Sequence, residues 1–350
     1  MDSENRGRGA GFNPVNRFHD THTDAIDDGW SEDERTALRT HVAVDHARTA
    51  ITYNESPDIP FDRSINPYRG CEHGCVYCYA RPTHSWLDLS PGLDFESRLF
   101  ARVGLAERLS AELSAPNYLP APIALGAITD AYQPIERRYR ITRSVLEVLS
   151  ETRHPVLLIT KSALVERDLD LLAAMADDGL VEVAVSLATL DRKLSRTLEP
   201  RAASPQRRLQ TIRALSEAGI PVRAMMAPLI PVLTEAEIET LLEAAREAGA
   251  RHAGYVLLRL PREVSPLFRH WLSQHYPDTA GHVLAHIREC RGGHDNDSRF
   301  GHRLRGQGVY ADIIAQRFAL ASRRGGFERT PSLRCDRFVA PSADGQLTLF

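Results

Sequence analysis

Three of the chain's five cysteines fall inside eight residues, in the run Asn66-Pro67-Tyr68-Arg69-Gly70-Cys71-Glu72-His73-Gly74-Cys75-Val76-Tyr77-Cys78-Tyr79. The spacing is C-x3-C-x2-C. Thiols this close are wasted as packing residues and badly placed for disulfides with one another. They are well placed to hold a metal centre from one loop, and short runs of thiolates hold iron–sulfur clusters. A cubane carries four irons, so three local thiolates leave one iron open to an outside ligand. The chain reads as organised around this loop.

A structural zinc site is the competing reading. Such sites are closed by four protein ligands, commonly as two pairs. His73 lies between Cys71 and Cys75, too near for an easy tetrahedron, and Cys290 and Cys335 lie more than two hundred residues downstream. Nothing marks the chain as secreted, which weakens a disulfide reading.

With 350 residues the chain can bury one large core or two modest ones. Its net charge of −3 gives no global pull toward nucleic acid or membrane. No run of 18 apolar residues suggests a membrane span, and Met1–Arg8 lacks the apolar stretch of a signal peptide. Few cysteines, clustered for metal, fit a reducing cytoplasm. Arginine outnumbers lysine 41 to two, which we attribute to genome composition and not to function.

Residues 1–58 read as a largely disordered lead-in, with a short helix near Ser31–Leu38. From residue 59 helices alternate with short apolar runs. Residues 59–66 are extended, Phe95–Leu113 has helical periodicity, and Pro122–Ile128 is an apolar run of strand length. Ile135–Glu151 is helical, Pro155–Thr160 a strand, Arg167–Asp178 a helix stopped at Gly179, and Val181–Leu187 a strand. Ser204-Pro205 caps a helix to Ala218. Pro221–Met226 is a strand, Thr234-Glu235-Ala236-Glu237 opens a helix to Glu247, and His252–Leu258 is a strand. Near-continuous apolar strands flanked by helices predict a parallel sheet covered on both sides, in six β/α units, short of the eight of a full barrel. Residues 263–325 read as a helical extension and 326–350 as a flexible tail.

The cysteine spacing, with Tyr77 just before the last cysteine, resembles the signature of the radical S-adenosylmethionine (radical SAM) superfamily. The six β/α units over residues 59–262 are similar to its open (β/α)6 partial barrel. The resemblance implies a [4Fe–4S] cluster on Cys71, Cys75 and Cys78, with SAM chelated to the open iron. It implies reductive cleavage of SAM to methionine and a 5′-deoxyadenosyl radical, and an external electron donor of flavodoxin or ferredoxin type.

Ligands in a parallel barrel sit at the carboxyl ends of the strands. Thr129 and Asp130 follow the second strand, where radical SAM proteins place a polar segment toward the SAM amino group; the bland reading is a strand–helix turn capped by Asp. Lys161 follows the third strand and suits a carboxylate or phosphate point contact. Ser186 ends the fourth strand, at the place where similar serines bond the SAM ribose. Arg201, in Glu199-Pro200-Arg201, can pair bidentately with a carboxylate or phosphate, or simply with Glu199. Met225 and Met226 read as core.

Together, Asn-Pro-Tyr-Arg-Gly-Cys-x3-Cys-x-Tyr-Cys-Tyr-Ala-Arg, Thr-Asp-x-Tyr-Gln-Pro-x-Glu, Thr-Lys-Ser and Glu-Pro-Arg resemble the spore photoproduct lyase-like branch. That branch implies a DNA-associated, repair-like lyase, with action on RNA, a peptide or a small molecule as the alternative. Spore photoproduct lyase uses a cysteine as hydrogen-atom donor near the second strand end. Gly126–Asp130 contains none, which departs from that route; Cys335 and Cys290 are weak substitutes.

The last five residues, Gln346-Leu347-Thr348-Leu349-Phe350, resemble the pentapeptide by which bacterial proteins dock on the DNA polymerase sliding clamp, with Gln346 as polar anchor and Leu347, Leu349 and Phe350 for an apolar pocket. A tail packed on its own domain is the bland reading. The basic segment Arg288–Arg305, with Phe300, can meet a phosphate backbone, although a solvated loop is the favoured reading there. From another class stands a zinc-stabilised, non-enzymatic clamp-binding protein.

Overall fold

The computed structural model describes residues 7–19, 38–329 and 332–341. The predicted helix at 31–38, but for Leu38, and the clamp-like pentapeptide at 346–350 lie outside them.

Ten strands run in chain order: β1 His41–His46, β2 Thr52–Tyr53, β3 Arg63–Ile65, β4 Tyr68–Arg69, β5 Arg98–Val103, β6 Ile123–Leu125, β7 Val156–Thr160, β8 Val181–Ser186, β9 Val222–Leu229 and β10 His252–Leu257. The large sheet has the order β10-β9-β8-β7-β6-β3-β2. All its pairs are parallel except β2 with β3. Strands β3, β6, β7, β8, β9 and β10 therefore lie side by side in chain order, the arrangement that successive β/α units produce. The edges are β10 and β2, and among the described residues no ladder joins them. This is the predicted open six-unit barrel.

The strand residues are β-branched and apolar because both faces are covered. Every residue of β8 is buried, and Val156, Leu158, Val181, Val183 and Val222 join one apolar core with residues from Leu105–Leu113, Ile141–Glu151 and Pro205–Glu217. At the strand starts a buried polar set crosses the sheet: Glu182 accepts from His252 at 2.6 Å and from Arg223 at 3.2 Å.

The sequence reading has no place for a second sheet. Strand β5 pairs parallel with β1 and antiparallel with β4. Phe95–Leu113 is therefore not one helix: residues 98–103 are a strand, and the helix is Leu105–Leu113. Burial of Leu99 and Ala101 against the neighbouring strands overrides the local helical pattern. The lead-in also holds ordered structure in its described parts, including β1 and a segment at residues 7–19 that packs on the cysteine loop. At the other end, residues 332–341 run back over the barrel's strand-start end, where Arg334 N–H reaches the Gly179 carbonyl at 3.0 Å and Val339 N–H reaches that of Thr152 at 2.8 Å.

Helices Val264–His275, Ala280–Glu289 and Val309–Arg324 follow the barrel, with an irregular stretch between the last two. Several charges of that stretch are paired, some with residues outside it. Arg288 and Arg269 share Asp295, Arg299 pairs with Asp297, and Arg303 pairs with Asp58. Arg291, 1% exposed, spends its guanidinium on the carbonyls of Leu257, Leu258, His302 and Arg303. Among the described residues no helix is long and apolar enough to cross a membrane.

Candidate active site

The cysteine loop leaves β4 and closes over the strand-end side of the barrel. Gly70 and Gly74, at φ +74° and +68°, permit its turns. Backbone bonds fold it: Cys78 N–H to the Cys75 carbonyl, Arg81 N–H to the Cys78 carbonyl and Cys71 N–H to the Phe95 carbonyl. The fully buried Arg81 is its strut, donating to the carbonyls of Cys75, Gly74, Pro91 and Gly92 and to Glu96. Glu96 also accepts from the backbone N–H groups of Gly9 and Ala10, at 2.9 and 2.8 Å. The N-terminal segment is thereby strapped onto the loop. A Cβ on Gly9 would stand 1.7 Å from the Gly74 oxygen, so only glycine fits this crossing.

All three cysteines are free; Cys71 and Cys75 are buried and Cys78 is partly exposed. Burial, together with Asp130 and the other two sulfurs, drives the Cys71 thiol well above its ordinary range. Burial, then Glu199, pushes Cys75 up to about 12. The three sulfurs are close enough to repel one another as thiolates, and binding of a cationic centre relieves that cost. Among the described residues no three His, Cys, Asp or Glu side chains are grouped so as to hold a metal ion. A cubane asks something else of its ligands, one thiolate on each of three irons. The donor set fits such a cluster: three soft thiols, neighbouring carboxylates Asp130 and Glu199 that are engaged by other partners, and cationic groups close by.

One of those cations comes from a strand end and the other, Arg208, from helix Pro205–Glu217. Lys161, just after β7, points its Nζ at the Ser186 hydroxyl at the end of β8, 3.0 Å away. Burial works against its charge, but Glu199, the Cys75 sulfur and Asp130 outweigh it and hold the ammonium above its ordinary pKa. Ser186 in turn donates to the Ala227 carbonyl at 3.0 Å.

Asp130 is a knot and not an open ligand. It accepts from Tyr132 N–H and the Thr160 hydroxyl, both at 2.8 Å, and from Lys161 N–H at 2.7 Å, and lies 3.3 Å from His73 Nδ1. Burial opposes its ionisation, but His73 and the backbone donors win and hold its carboxyl down at about 2. Thr129 is likewise turned inward, donating to the Tyr68 carbonyl at 2.8 Å. Between β6 and these residues Gly126 has φ +83°, and a Cβ there would meet the Ile159 oxygen at 2.8 Å.

The sequence reading weighs an Arg201–Glu199 pair; the structure separates the two. Arg201 reaches Glu72 on the cysteine loop at 2.7 Å, while the buried Glu199 takes Arg208 and the Tyr77 hydroxyl. Burial drives the Tyr77 phenol well above its ordinary range, so it stays a donor. Tyr79 carries Arg259 over its ring at 4.3 Å and donates to the Ala127 carbonyl.

Sequence reasoning missed Arg81, Glu96, Gln133 and Arg208. Gln133 binds the loop from the β6 side, accepting from Glu72 N–H at 2.9 Å and donating to the Gly70 carbonyl at 3.0 Å. Its place in Tyr-Gln-Pro was the available signal. The remaining cysteines stand apart: Cys290 is fully buried in an apolar cluster with Leu257 and Ile314, and Cys335 lies near Gly179, at the end where the strands begin.

Comparison with known proteins accords with this geometry. The radical SAM superfamily model matches residues 65–245, more than half of the chain. The chain belongs to the radical SAM superfamily. Radical SAM proteins use a [4Fe–4S] cluster and SAM. An uncharacterized Mycobacterium tuberculosis protein is 38% identical over 63% of this chain, and the match spans 65% of that relative's length. An uncharacterized Methanocaldococcus jannaschii protein is 29% identical over 61% of this chain and 76% of its own. Among solved structures, a spore photoproduct lyase variant superimposes with a TM-score of 0.55 at 18% identity, over 81% of this chain and 78% of that one. A second, with bound AdoMet and dinucleoside spore photoproduct, gives 0.54 over the same shares. At this identity the likeness is one of fold.

Proposed function

We propose that this chain is a radical SAM enzyme in which Cys71, Cys75 and Cys78 hold the cluster and the strand ends beneath them hold SAM. The observation that supports the reading is the closure of the cysteine loop on the strand ends: His73 lies 3.3 Å from Asp130, Val76 N–H reaches the Leu198 carbonyl at 3.1 Å, and the Tyr77 hydroxyl donates to Glu199. When bound, the cluster supplies the electron that cleaves SAM to methionine and a 5′-deoxyadenosyl radical. Lys161 offers the charge for the SAM carboxylate, and Ser186 a hydroxyl for its ribose. Tyr77, Thr129, Asp130 and Arg201 act one step back: Asp130 fixes Lys161, Tyr77 joins the loop to Glu199, Thr129 anchors the loop's approach, and Arg201 pins Glu72.

The substrate is DNA-associated in this reading, supported by the fold shared with a lyase that binds a dinucleoside photoproduct. The cysteine-free Gly126–Asp130 segment favours a reaction other than dimer reversal through a cysteine donor. The setting is cytoplasmic, with a flavodoxin or ferredoxin as electron source. The C-terminal pentapeptide is the proposed tether to the sliding clamp.

The test is anaerobic reaction of cluster-loaded protein with SAM and reductant, following 5′-deoxyadenosine with ultraviolet-irradiated DNA, intact DNA, RNA or no addition. Product formation, faster with one of the DNA samples, is expected. No 5′-deoxyadenosine under any condition overturns the enzyme reading; stimulation by RNA alone overturns only the substrate.

A further inference from the structure

The small sheet leads directly into the cysteine loop, and a cavity of about 240 Å³ opens on it. Asp45 and His46 at the end of β1, Arg48 just beyond, Arg69 of β4 and Arg102 of β5 line it. Arg69 stands two residues before Cys71 in the chain.

Arg102 is the unusual member. It is 8% exposed, yet among the described residues no carboxylate pairs with it. Its Nη1 donates to the Asn66 carbonyl at 3.0 Å and its Nη2 to that of Thr49, while its Nε is buried without any partner. A buried charge is costly unless it is paired. Carbonyls satisfy hydrogen bonds but supply no countercharge. Burial and Arg69 pull the Arg102 pKa down, and Asp45 and Glu112, neither of them bonded to it, offset that only in part. The one carboxylate in the lining, Asp45, is already engaged by Arg69 Nε at 2.8 Å. Among the described residues the Nη groups of Arg69 and the whole Arg48 guanidinium have no acceptor. Three guanidinium groups and a histidine thus face one cavity with a single engaged carboxylate against them.

We propose that this cavity is a phosphate-binding site, with Arg102 and Arg69 holding the anion and Arg48 and His46 closing its rim. Guanidinium forks match phosphate oxygens bidentately, and a phosphate offers more acceptors than the single oxygen pair of a carboxylate. The phosphate belongs either to a nucleic-acid backbone lying beside the cysteine loop or to a small phosphorylated molecule. The site stands on its own residues and is independent of the chemistry assigned to the cysteines.

The experiment is calorimetric titration of the full chain, cluster loaded, with inorganic phosphate and separately with a short single-stranded deoxyoligonucleotide. Saturable binding is expected, weakened roughly tenfold or more by Arg69→Gln and by Arg48→Gln, since each removes charge-assisted bonds. Arg102→Gln is expected to abolish it; because Arg102 also braces Asn66 and Thr49, its fold is checked by circular dichroism, and the Arg69→Gln and Arg48→Gln variants decide if it misfolds. Oligonucleotide binding that phosphate displaces, with a salt slope reduced by about 0.7 per lost contact, supports the site and assigns the phosphate to a strand. Phosphate binding without oligonucleotide binding supports the site and assigns it to a small molecule. Absence of saturable binding of both probes, or binding unchanged in the Arg48→Gln/Arg69→Gln double variant, overturns the proposal.

Discussion

The Lys161 ammonium at the end of β7 donates to the Ser186 hydroxyl at the end of β8 across 3.0 Å, joining two adjacent strand ends under the cysteine loop. The bond leaves two donor positions on the ammonium for a ligand. Its charge is kept by Glu199, Cys75 and Asp130 against the cost of burial.

Lys161→Met should therefore leave the fold and cluster loading intact and weaken SAM. A charge-assisted hydrogen bond is worth about 1.5–3 kcal/mol, or roughly ten- to a hundredfold in affinity. Equilibrium dialysis of radiolabelled SAM against variant and parent, at matched iron content, measures it. Unchanged affinity removes Lys161 from the site.

Two ion pairs near the loop should differ in how much they contribute. Glu199 and Arg208 are both almost fully buried, so Glu199→Gln strands a guanidinium and should cost about 3–5 kcal/mol. Arg201, 40% exposed, faces Glu72, and Arg201→Ala should cost less than about 1 kcal/mol. Denaturant melts of both variants compare them directly; equal losses would contradict the assigned pairing.

Residues 7–19 should matter to the loop although they precede it by some sixty positions. The Cβ of Gly9→Ala collides with the Gly74 oxygen at 1.7 Å, and the strap must lift. The expected result is lower iron retention and faster cluster loss in air than in Gly11→Ala, whose Cβ meets only the end of the His270 side chain. Iron release followed by chelator absorbance reads this out.

Stability should fall in mild acid. Burial holds His84 and His154 neutral, with pKa values lowered to about 4 from 6.5. Their folded values lie below the unfolded ones, so the unfolded chain takes up protons first and stability drops as pH falls from about 6.5 to 4. Asp130, held at about 2, adds a further loss between about 4 and 2. His154→Gln should flatten the slope between pH 7 and 5 in thermal melts followed by circular dichroism. A slope equal to that of the parent would contradict the buried neutral state.

The barrel was legible because its strands are short, apolar and rich in β-branched residues, and several of the helices between them carry plain end signals, such as the Ser204 cap and the glycines at 179 and 219. The cysteine loop was legible because no common structural role uses three cysteines so spaced. The small sheet was not, since Arg98–Val103 is defined by what it pairs with and its local pattern continues that of the helix after it. Nor were Arg81, Glu96 and Arg208, because a charged residue in a sequence does not disclose that it is buried or which carbonyls it serves. The two charges of Glu199-Pro200-Arg201 turn to different partners, Arg208 and Glu72, a matter of side-chain direction that adjacency hides.

The central claim is that the three thiols of one loop hold a four-iron cluster. Anaerobic reconstitution, followed by iron, sulfide and zinc analysis and by electron paramagnetic resonance of the reduced protein, tests it most directly. The account predicts about four irons and four sulfides per chain, lost in Cys71→Ala, Cys75→Ala and Cys78→Ala and kept in Cys290→Ala and Cys335→Ala. Stoichiometric zinc with no iron taken up, or full iron content surviving loss of any of the three loop cysteines, would contradict it.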